Sequence, residues 1–452
     1  MNGRLVLPLV MLLNACVPAS QPDVATRAIG NNSAMPAMKN FGASQPSAPV
    51  RSNNDLALDF IELSFQMESG RDLPRLTRFE TPITVRVTGD PTTTLGSDLN
   101  RLITRLRSEA RIDISYTTDP AASITIQAVT RNDIRKVLPQ AACFVAPNVS
   151  SLAEYRKARN QPRTNWTNLQ QREKIMIVLP NDASPQEVRD CLHEELAQAL
   201  GPLNDLYRLP DSVFNDDNVH TVLTGFDMMI LRAYYDPALR SGMSRGQVAA
   251  ALPSVFSRIN PAGDHQPGRY ATRTPRGWSK SIQTALGRSV SFQSREAAAK
   301  EAIRIATAMG WEDHRRAFAH YAMGRVLQSS KPKAAHQQYL LADRFYAQTP
   351  GTALHRAYVA TQLSAYAISR GEGSKALLLI QPHITTAYAN ENAALLSTLL
   401  LLRSEALEQE NRHAEARSVR LDSIGWARYG FGSDWAVRAK LREIASLNPL
   451  KG

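Results

Sequence analysis

Strand-like patterns occur only in the first half of this 452-residue chain, and this division limits the folds available to it. Five short segments have the period-2 or continuous apolar pattern of β-strands: 83–87, 112–117, 123–129, 143–147 and 175–179. Between the first two, residues 95–110 place their large apolar side chains on one helical face. This order predicts an α+β domain in which helices cover a mixed sheet.

The segment after the last strand is the most clearly delimited helix of the chain. Ser184 and Glu187 have the spacing of a capping box with a proline between them, and Gly201 is a helix-ending residue. A second helix is predicted at 222–235 from its apolar residues. Both helices are expected to pack against the sheet.

From residue 294 onward the sequence is typical of successive helices. Turn-like breaks near 329–333, 369–373 and 408–412 recur about every forty residues, and small residues stand where paired helices would cross. The pattern resembles a short solenoid of tetratricopeptide-type repeats, which would occupy residues 294–452 and follow a linker at 263–293. An irregular helical bundle is the alternative.

The N-terminus has the layout of a bacterial secretory signal. Arg4 is followed by an apolar run that is too short to span a bilayer, and then by a small residue before Cys16. Residues 13–16 resemble a lipobox, which predicts cleavage of a signal peptide at 1–16 and lipidation of Cys16. We therefore expect a lipid-anchored, periplasm-facing protein of the cell envelope, and Val17 in place of an aspartate favours the outer membrane.

Residues 17–54 are rich in Pro, Ala, Ser and Asn, which predicts a disordered tether. A folded domain would then occupy residues 55–262.

The net charge of +12 suits nucleic acid, anionic lipid or acidic glycans, but export argues against nucleic acid. The scattered basic residues favour a solvated basic surface. The sequence contains no phosphate-binding loop, so ATP is not expected as a ligand.

With Cys16 assigned to the lipid, Cys143 and Cys191 remain in an oxidising compartment. A disulfide between them is predicted. A catalytic or zinc-binding cysteine is the alternative, although neither residue lies in a CxxC spacing.

Two short motifs carry a family resemblance. EELAQALGPLND spans Glu194 to Asp205, and DSVFND spans Asp211 to Asp216. They resemble an uncharacterised proteobacterial lipoprotein family, domain of unknown function 2927, over roughly residues 55–262. The resemblance implies no activity, because the function of that family is unknown.

The first motif is also similar in spacing to the metzincin zinc site, HExxHxxGxxH. The corresponding residues here are Glu194, Glu195, Gln198, Gly201 and Asn204. The resemblance implies a zincin-like domain, with Glu195 in the position of the general base. Carboxylate and amide side chains replace the imidazoles, and an amide oxygen is a poor zinc ligand. A degenerate site is therefore expected, with no cofactor.

These observations favour a binding or scaffold lipoprotein whose partner is an envelope protein, a peptide or a glycan. The predicted binding residues are Glu194, Gln198, Asn204, Asp205 and Asp216. One alternative is a metal-dependent peptidase or peptidoglycan hydrolase in which Glu195 is catalytic, Asp217 or His220 helps to complete the site, and zinc or calcium binds. Another is that these residues form a polar helix face with ordinary hydrogen bonds.

Overall fold

A computed structural model describes residues 35–42, 48–269, 271–287 and 289–451. The predicted signal peptide at 1–16, the lipidation site Cys16 and residues 17–34 of the predicted tether lie outside the described residues. The residues from Met35 onward pack as one unit. Of the helices in the described residues, none is both long enough and apolar enough to cross a bilayer.

A mixed five-stranded sheet forms the centre of the first half, as predicted. The strands are β1 (Ile83–Gly89), β2 (Ile114–Tyr116), β3 (Ile124–Val129), β4 (Phe144–Pro147) and β5 (Ile175–Pro180). Their order is β2-β1-β3-β5-β4, in which β4 is antiparallel to β5 and all other neighbours are parallel. Every residue of β5 is buried, which explains its uninterrupted apolar sequence.

In the part of the chain that the structure describes, seven helices accompany the sheet. They are α1 (Asn53–Ser64), α2 (Leu95–Ser108), α3 (Arg131–Arg135), α4 (Leu152–Ala158), α5 (Pro185–Leu200), α6 (Gly225–Tyr234) and α7 (Arg245–Ile259). Helix α5 begins as predicted, because the Ser184 side chain accepts a hydrogen bond from the backbone N–H of Glu187. Helix α6 begins later than predicted, because Thr224 and Asp227 form a capping box.

The second half is entirely helical in the described residues. Its helices are α8 (Arg276–Leu286), α9 (Phe292–Ala308), α10 (His314–Leu327), α11 (Pro332–Gln348), α12 (Ala353–Ser369), α13 (Gly373–Ala389), α14 (Ala393–Gln409), α15 (His413–Phe431) and α16 (Asp434–Ala445). Short 3-10 segments lie at Pro162–Thr164, Trp166–Asn168, Pro261–His265 and Pro449–Lys451. The pairs α10–α11, α12–α13 and α14–α15 turn at the predicted breaks, and each pair packs against the next.

Two segments differ from the sequence-based expectation. The predicted linker at 263–293 contains α8, whose Trp278 is fully buried in a core shared with α9 and α10. Within the predicted tether, Phe41 is buried and stacks on Trp426 with 4.6 Å between ring centroids. Both departures have one cause, because a single buried aromatic residue anchors a segment whose average composition is polar.

A Cys143–Cys191 disulfide confirms the predicted pairing. It joins the residue preceding β4 to helix α5, with 6.0 Å between the two Cα atoms. The disulfide therefore fixes the helix that carries Glu194 to the edge of the sheet.

Candidate functional site

The C-terminal end of α5 is held in place by side chains from three directions. A Cβ atom at Gly201 would lie 3.0 Å from the Tyr234 ring, so glycine allows α6 to pack closely below the helix end. The Tyr235 hydroxyl donates to the carbonyl of Leu200 at 2.9 Å. The buried Arg172 guanidinium donates to carbonyls of the last turn. These bonds satisfy carbonyls that a helix end otherwise leaves without partners.

The second motif, 211–216, is fixed at the start of α6. The Asp227 carboxylate accepts hydrogen bonds from the Ser212 hydroxyl at 2.5 Å, from the Val213 N–H at 3.2 Å and from the Thr224 N–H at 2.8 Å. Burial raises the pKa of Asp227 to about 6, although these hydrogen bonds favour its charged form. Hydrogen bonds to Asp227 therefore hold the loop that follows α5 in a defined conformation.

A small cavity of about 70 Å³ lies between α5 and this loop. Oxygen-bearing side chains dominate its wall: Asp190, Glu194, Asp205, Asn215, Asp216 and Asn218. His220 also lines the cavity, and its Nε2 is 3.0 Å from the carbonyl oxygen of Pro210. No Lys or Arg is among the described residues that line it.

Burial, and then mutual repulsion, raises the pKa of the carboxylates in and near this cavity. Burial, followed by repulsion from Glu68 and Asp216, raises the pKa of Glu194 to about 7. Burial, with repulsion from Glu194 and other carboxylates, raises the pKa values of Glu195 and Asp205 well above the usual range. Desolvation and like charge act in the same direction here, so the charged forms are disfavoured.

The structure brings together only part of the predicted binding set. Glu194, Asp205 and Asp216 line the cavity, whereas Gln198 does not. Asn204 is buried, and its Nδ2 donates to the carbonyl of Glu62 at 2.9 Å, so it braces the end of α1.

Glu195 and Asp217 also lie away from the cavity wall. Glu195 is only 5% exposed, and its Oε2 has no hydrogen-bond partner. Asp217 accepts a hydrogen bond from His355 Nε2 at 2.9 Å, which links the loop to α12. In the described part of the chain, no three His, Cys, Asp or Glu side chains are already arranged to hold a metal ion.

Three polar residues of the wall were missed from the sequence: Asp190, Asn215 and Asn218. Asp190 lies four residues before Glu194, so both side chains share one face of α5, and this spacing was available as a signal. Asn215 lies inside the second motif but was not selected. Its place at the cavity depends on how the loop returns to α5, which residue spacing alone does not specify.

A larger cleft of about 800 Å³ adjoins the small cavity, and His220 lines both. One wall comes from the sheet-containing half and includes Arg51, Asp59 and Arg208. The other comes from the helical half and includes Asp313, Gln348 and Asn390. The cleft is therefore formed jointly by the two halves of the chain.

A comparison with known families finds a match for the first half of the chain. Residues 53–254 match the model of the family described as "Protein of unknown function (DUF2927)". This region is similar to DUF2927. The DUF2927 match runs from the start of α1 into α7, and it contains the sheet, both motifs and the acidic cavity. The paired helices lie outside the match. Neither a curated protein nor a solved structure matches the chain.

Proposed function

We propose that this chain is a lipid-anchored binding protein of the bacterial cell envelope, in which a zincin-like domain and helical repeats hold a peptide or glycan between them. The observation that carries the proposal is the cleft of about 800 Å³ with walls from both halves. Its volume falls in the range of about 300–1,000 Å³ that is common for ligand sites. A scaffold without a ligand would not need a concave junction of this size.

Several features support a zincin-like domain that has lost its metal site. The mixed sheet is followed by α5, a glycine at its end and α6 below it, in the order that a zincin fold requires. The positions that would hold zinc are Glu194, Gln198 and Asn204. Asn204 lines neither the cavity nor the cleft, and its Nδ2 donates to a backbone carbonyl of α1, which supports the loss of a zinc ligand at this position.

The chemistry of the cleft suits a partner with both charged and apolar groups. Arg269 and Arg208 contribute positive charge, while Glu312 and Asp313 contribute negative charge from the opposite wall. Leu58 on α1 faces the same cleft and is 45% exposed. Peptides and peptide-bearing glycans combine these properties, whereas a purely anionic polymer would meet the acidic wall.

Photo-crosslinking in living cells tests the cleft. A benzophenone amino acid at Leu58 and, separately, at Gln348 places a probe on each wall. We expect both probes to capture the same partner, because the two walls enclose one site. Leu378 on α13 is the matched control, since it is a leucine that is 79% exposed and does not line the cleft. Different partners at the two walls, or equal capture at Leu378, would contradict the proposal.

The lipid anchor is tested separately. Fatty-acid labelling should be lost in Cys16→Ala, because the predicted anchor has no other attachment point. Undiminished labelling of that variant would reject a lipoprotein.

A metal-dependent peptidase or peptidoglycan hydrolase has weaker support. The oxygen-rich cavity favours it, but Glu195, its expected general base, is almost fully buried and lines neither the cavity nor the cleft. Digestion of purified peptidoglycan by the wild type, with Glu195→Gln as control, measures this activity. Soluble fragments released only by the wild type would favour the enzyme over the binding protein.

A further inference from the structure

The acidic cavity differs from an ordinary polar surface because carboxylate and amide oxygens dominate its wall. Four carboxylates and two amides line about 70 Å³, and the described lining residues include no Lys or Arg. Asp216 accepts a hydrogen bond from Gln283 at 3.3 Å, and the Tyr207 hydroxyl is a second hydrogen-bond partner of its carboxylate. The wall is therefore strongly electron-rich.

Asn215 provides an observation independent of the acidic residues. It is 4% exposed, and its Nδ2 donates to the carbonyl of Leu209 at 2.9 Å and to Asp217 Oδ2 at 2.8 Å. These two bonds fix the orientation of the amide, with Oδ1 on the side opposite to the two acceptors. That Oδ1 is buried and has no hydrogen-bond partner, although the side chain lines the cavity. A buried acceptor without a partner destabilises the folded protein and calls for a physical reason.

The same condition recurs on two carboxylates of the wall. Asp190 Oδ1 and Asp205 Oδ1 are both buried without a hydrogen-bond partner. Three residues, from α5 and from both parts of the loop, thus each combine a buried oxygen without a hydrogen-bond partner with a place in the wall of one small cavity. Water would donate at most two hydrogen bonds and would not offset the clustered negative charge, whereas a cation would do both.

We propose that this cavity binds one divalent cation, and that calcium is the ion that fits it. Calcium takes about six to eight oxygen ligands from carboxylates, amide carbonyls and water, and it tolerates irregular geometry. A cavity of about 70 Å³ has room for such an ion with bound water. Zinc prefers nitrogen or sulfur ligands, and the Nε2 of the one histidine here lies against the Pro210 carbonyl.

In the described residues, no three His, Cys, Asp or Glu side chains already form a metal site, so binding would require the carboxylates of the cavity to move closer together. An ion would draw Asp190 and Glu194 on α5 towards Asp205 and Asp216 on the loop. His220, two residues beyond Asn218, lines the large cleft as well. Binding at the cavity would therefore fix one wall of the cleft, which goes beyond the proposed capture of a peptide or glycan.

Isothermal titration of the full-length, EDTA-dialysed protein with calcium chloride tests the site. We expect one calcium ion per chain and weaker binding of magnesium, which dehydrates reluctantly. Asp205→Asn combined with Asp216→Asn should weaken calcium binding by about tenfold or more, because it removes two anionic ligands. The matched control is Asp113→Asn, which neutralises an exposed carboxylate outside the cavity and should leave the affinity unchanged.

A gain-of-charge variant protects the test against a double mutant that fails to fold. Asn218 lines the cavity at a positive φ of 55°, a conformation that aspartate tolerates. Asn218→Asp should therefore fold normally and bind calcium more tightly. Absence of calcium binding by the wild type, or unchanged affinity in both cavity variants, would overturn the site. Neither result would affect cross-linking at the cleft, so the two proposals fail separately.

Discussion

Two neighbouring regions bury carboxylates in opposite ways. At the edge of the large cleft, Asp59 lies between two guanidinium groups: Arg51 Nη1 is 2.5 Å from its Oδ2, and Arg208 contacts its other oxygen. Arg208 also donates to Glu62 at 2.8 Å. In the acidic cavity, no described Lys or Arg lines the wall. In the first region, arginine side chains of the protein neutralise the carboxylates. In the second region, we propose that a bound cation neutralises them.

The sequence explains how this difference arises. Between Asp190 and Asn218, Arg208 is the only Lys or Arg residue. The fold directs that guanidinium to the carboxylates of α1, away from Glu194 and Asp205. The cavity therefore stays acidic because the Arg208 side chain pairs with carboxylates of α1 instead of those of the cavity.

The largest effect is expected from Asp59→Asn, which breaks the balanced region. Loss of this carboxylate removes the partner that Arg51 and Arg208 share, although Asp211 still contacts Arg51 and Glu62 still contacts Arg208. Because each arginine keeps one carboxylate, we expect the free energy of unfolding to fall by about 3–4 kcal/mol, the lower part of the range for buried pairs that lose one member. Urea denaturation measures the change. A loss well under 1 kcal/mol would mean that the network does not depend on Asp59.

A smaller effect is expected from replacing His314. In contrast to the carboxylates of the two regions, this buried side chain is kept in its uncharged form. Its Nε2 lies 2.6 Å from the carbonyl oxygen of Tyr207, across the junction of the two halves. Burial lowers the pKa of His314 to about 4, although Asp313 opposes that shift. The unfolded chain takes up this proton near pH 6.5, while the folded protein does so only near pH 4.

Stability from neutral His314 is therefore fully present above about pH 6.5 and is lost as the pH falls towards 4, by about 3 kcal/mol in total. His314→Gln should remove this part of the pH dependence, as measured by urea unfolding at several pH values. His413→Gln, at an exposed position, is the control. Parallel pH profiles for the wild type and His314→Gln would contradict a neutral buried imidazole.

Much of the fold was predictable because local periodicity and burial agree. The five strands, helix α5 and the three turns between paired helices follow from apolar spacing and from capping or turn residues. The Cys143–Cys191 disulfide was predicted from the number of cysteines and from the export expected of the chain. Helix α8 and the docking of Phe41 did not, since both depend on tertiary burial of single aromatic residues in polar segments.

The candidate site was only partly predictable for a related reason. Glu194, Asp205 and Asp216 stand in the two motifs, and the loop does bring them together. Asn204 stands in the same motif but turns towards α1. Spacing along a helix defines which residues share a face, whereas the direction of a loop side chain is decided by the hydrogen bonds it finds after the chain has folded.

The smallest change in stability is expected from Asp205→Asn. This variant is also the most direct test of the contrast between the two regions. Urea unfolding of the wild type and this variant would be measured at neutral pH, with EDTA and with excess calcium. With EDTA, Asp205→Asn should be as stable as the wild type or more stable, because it removes one buried, repelled carboxylate. Calcium at about 100 times its Kd should stabilise the wild type by about 2.7 kcal/mol and the variant far less. A variant that loses stability in EDTA, together with a wild type that does not respond to calcium, would contradict the account.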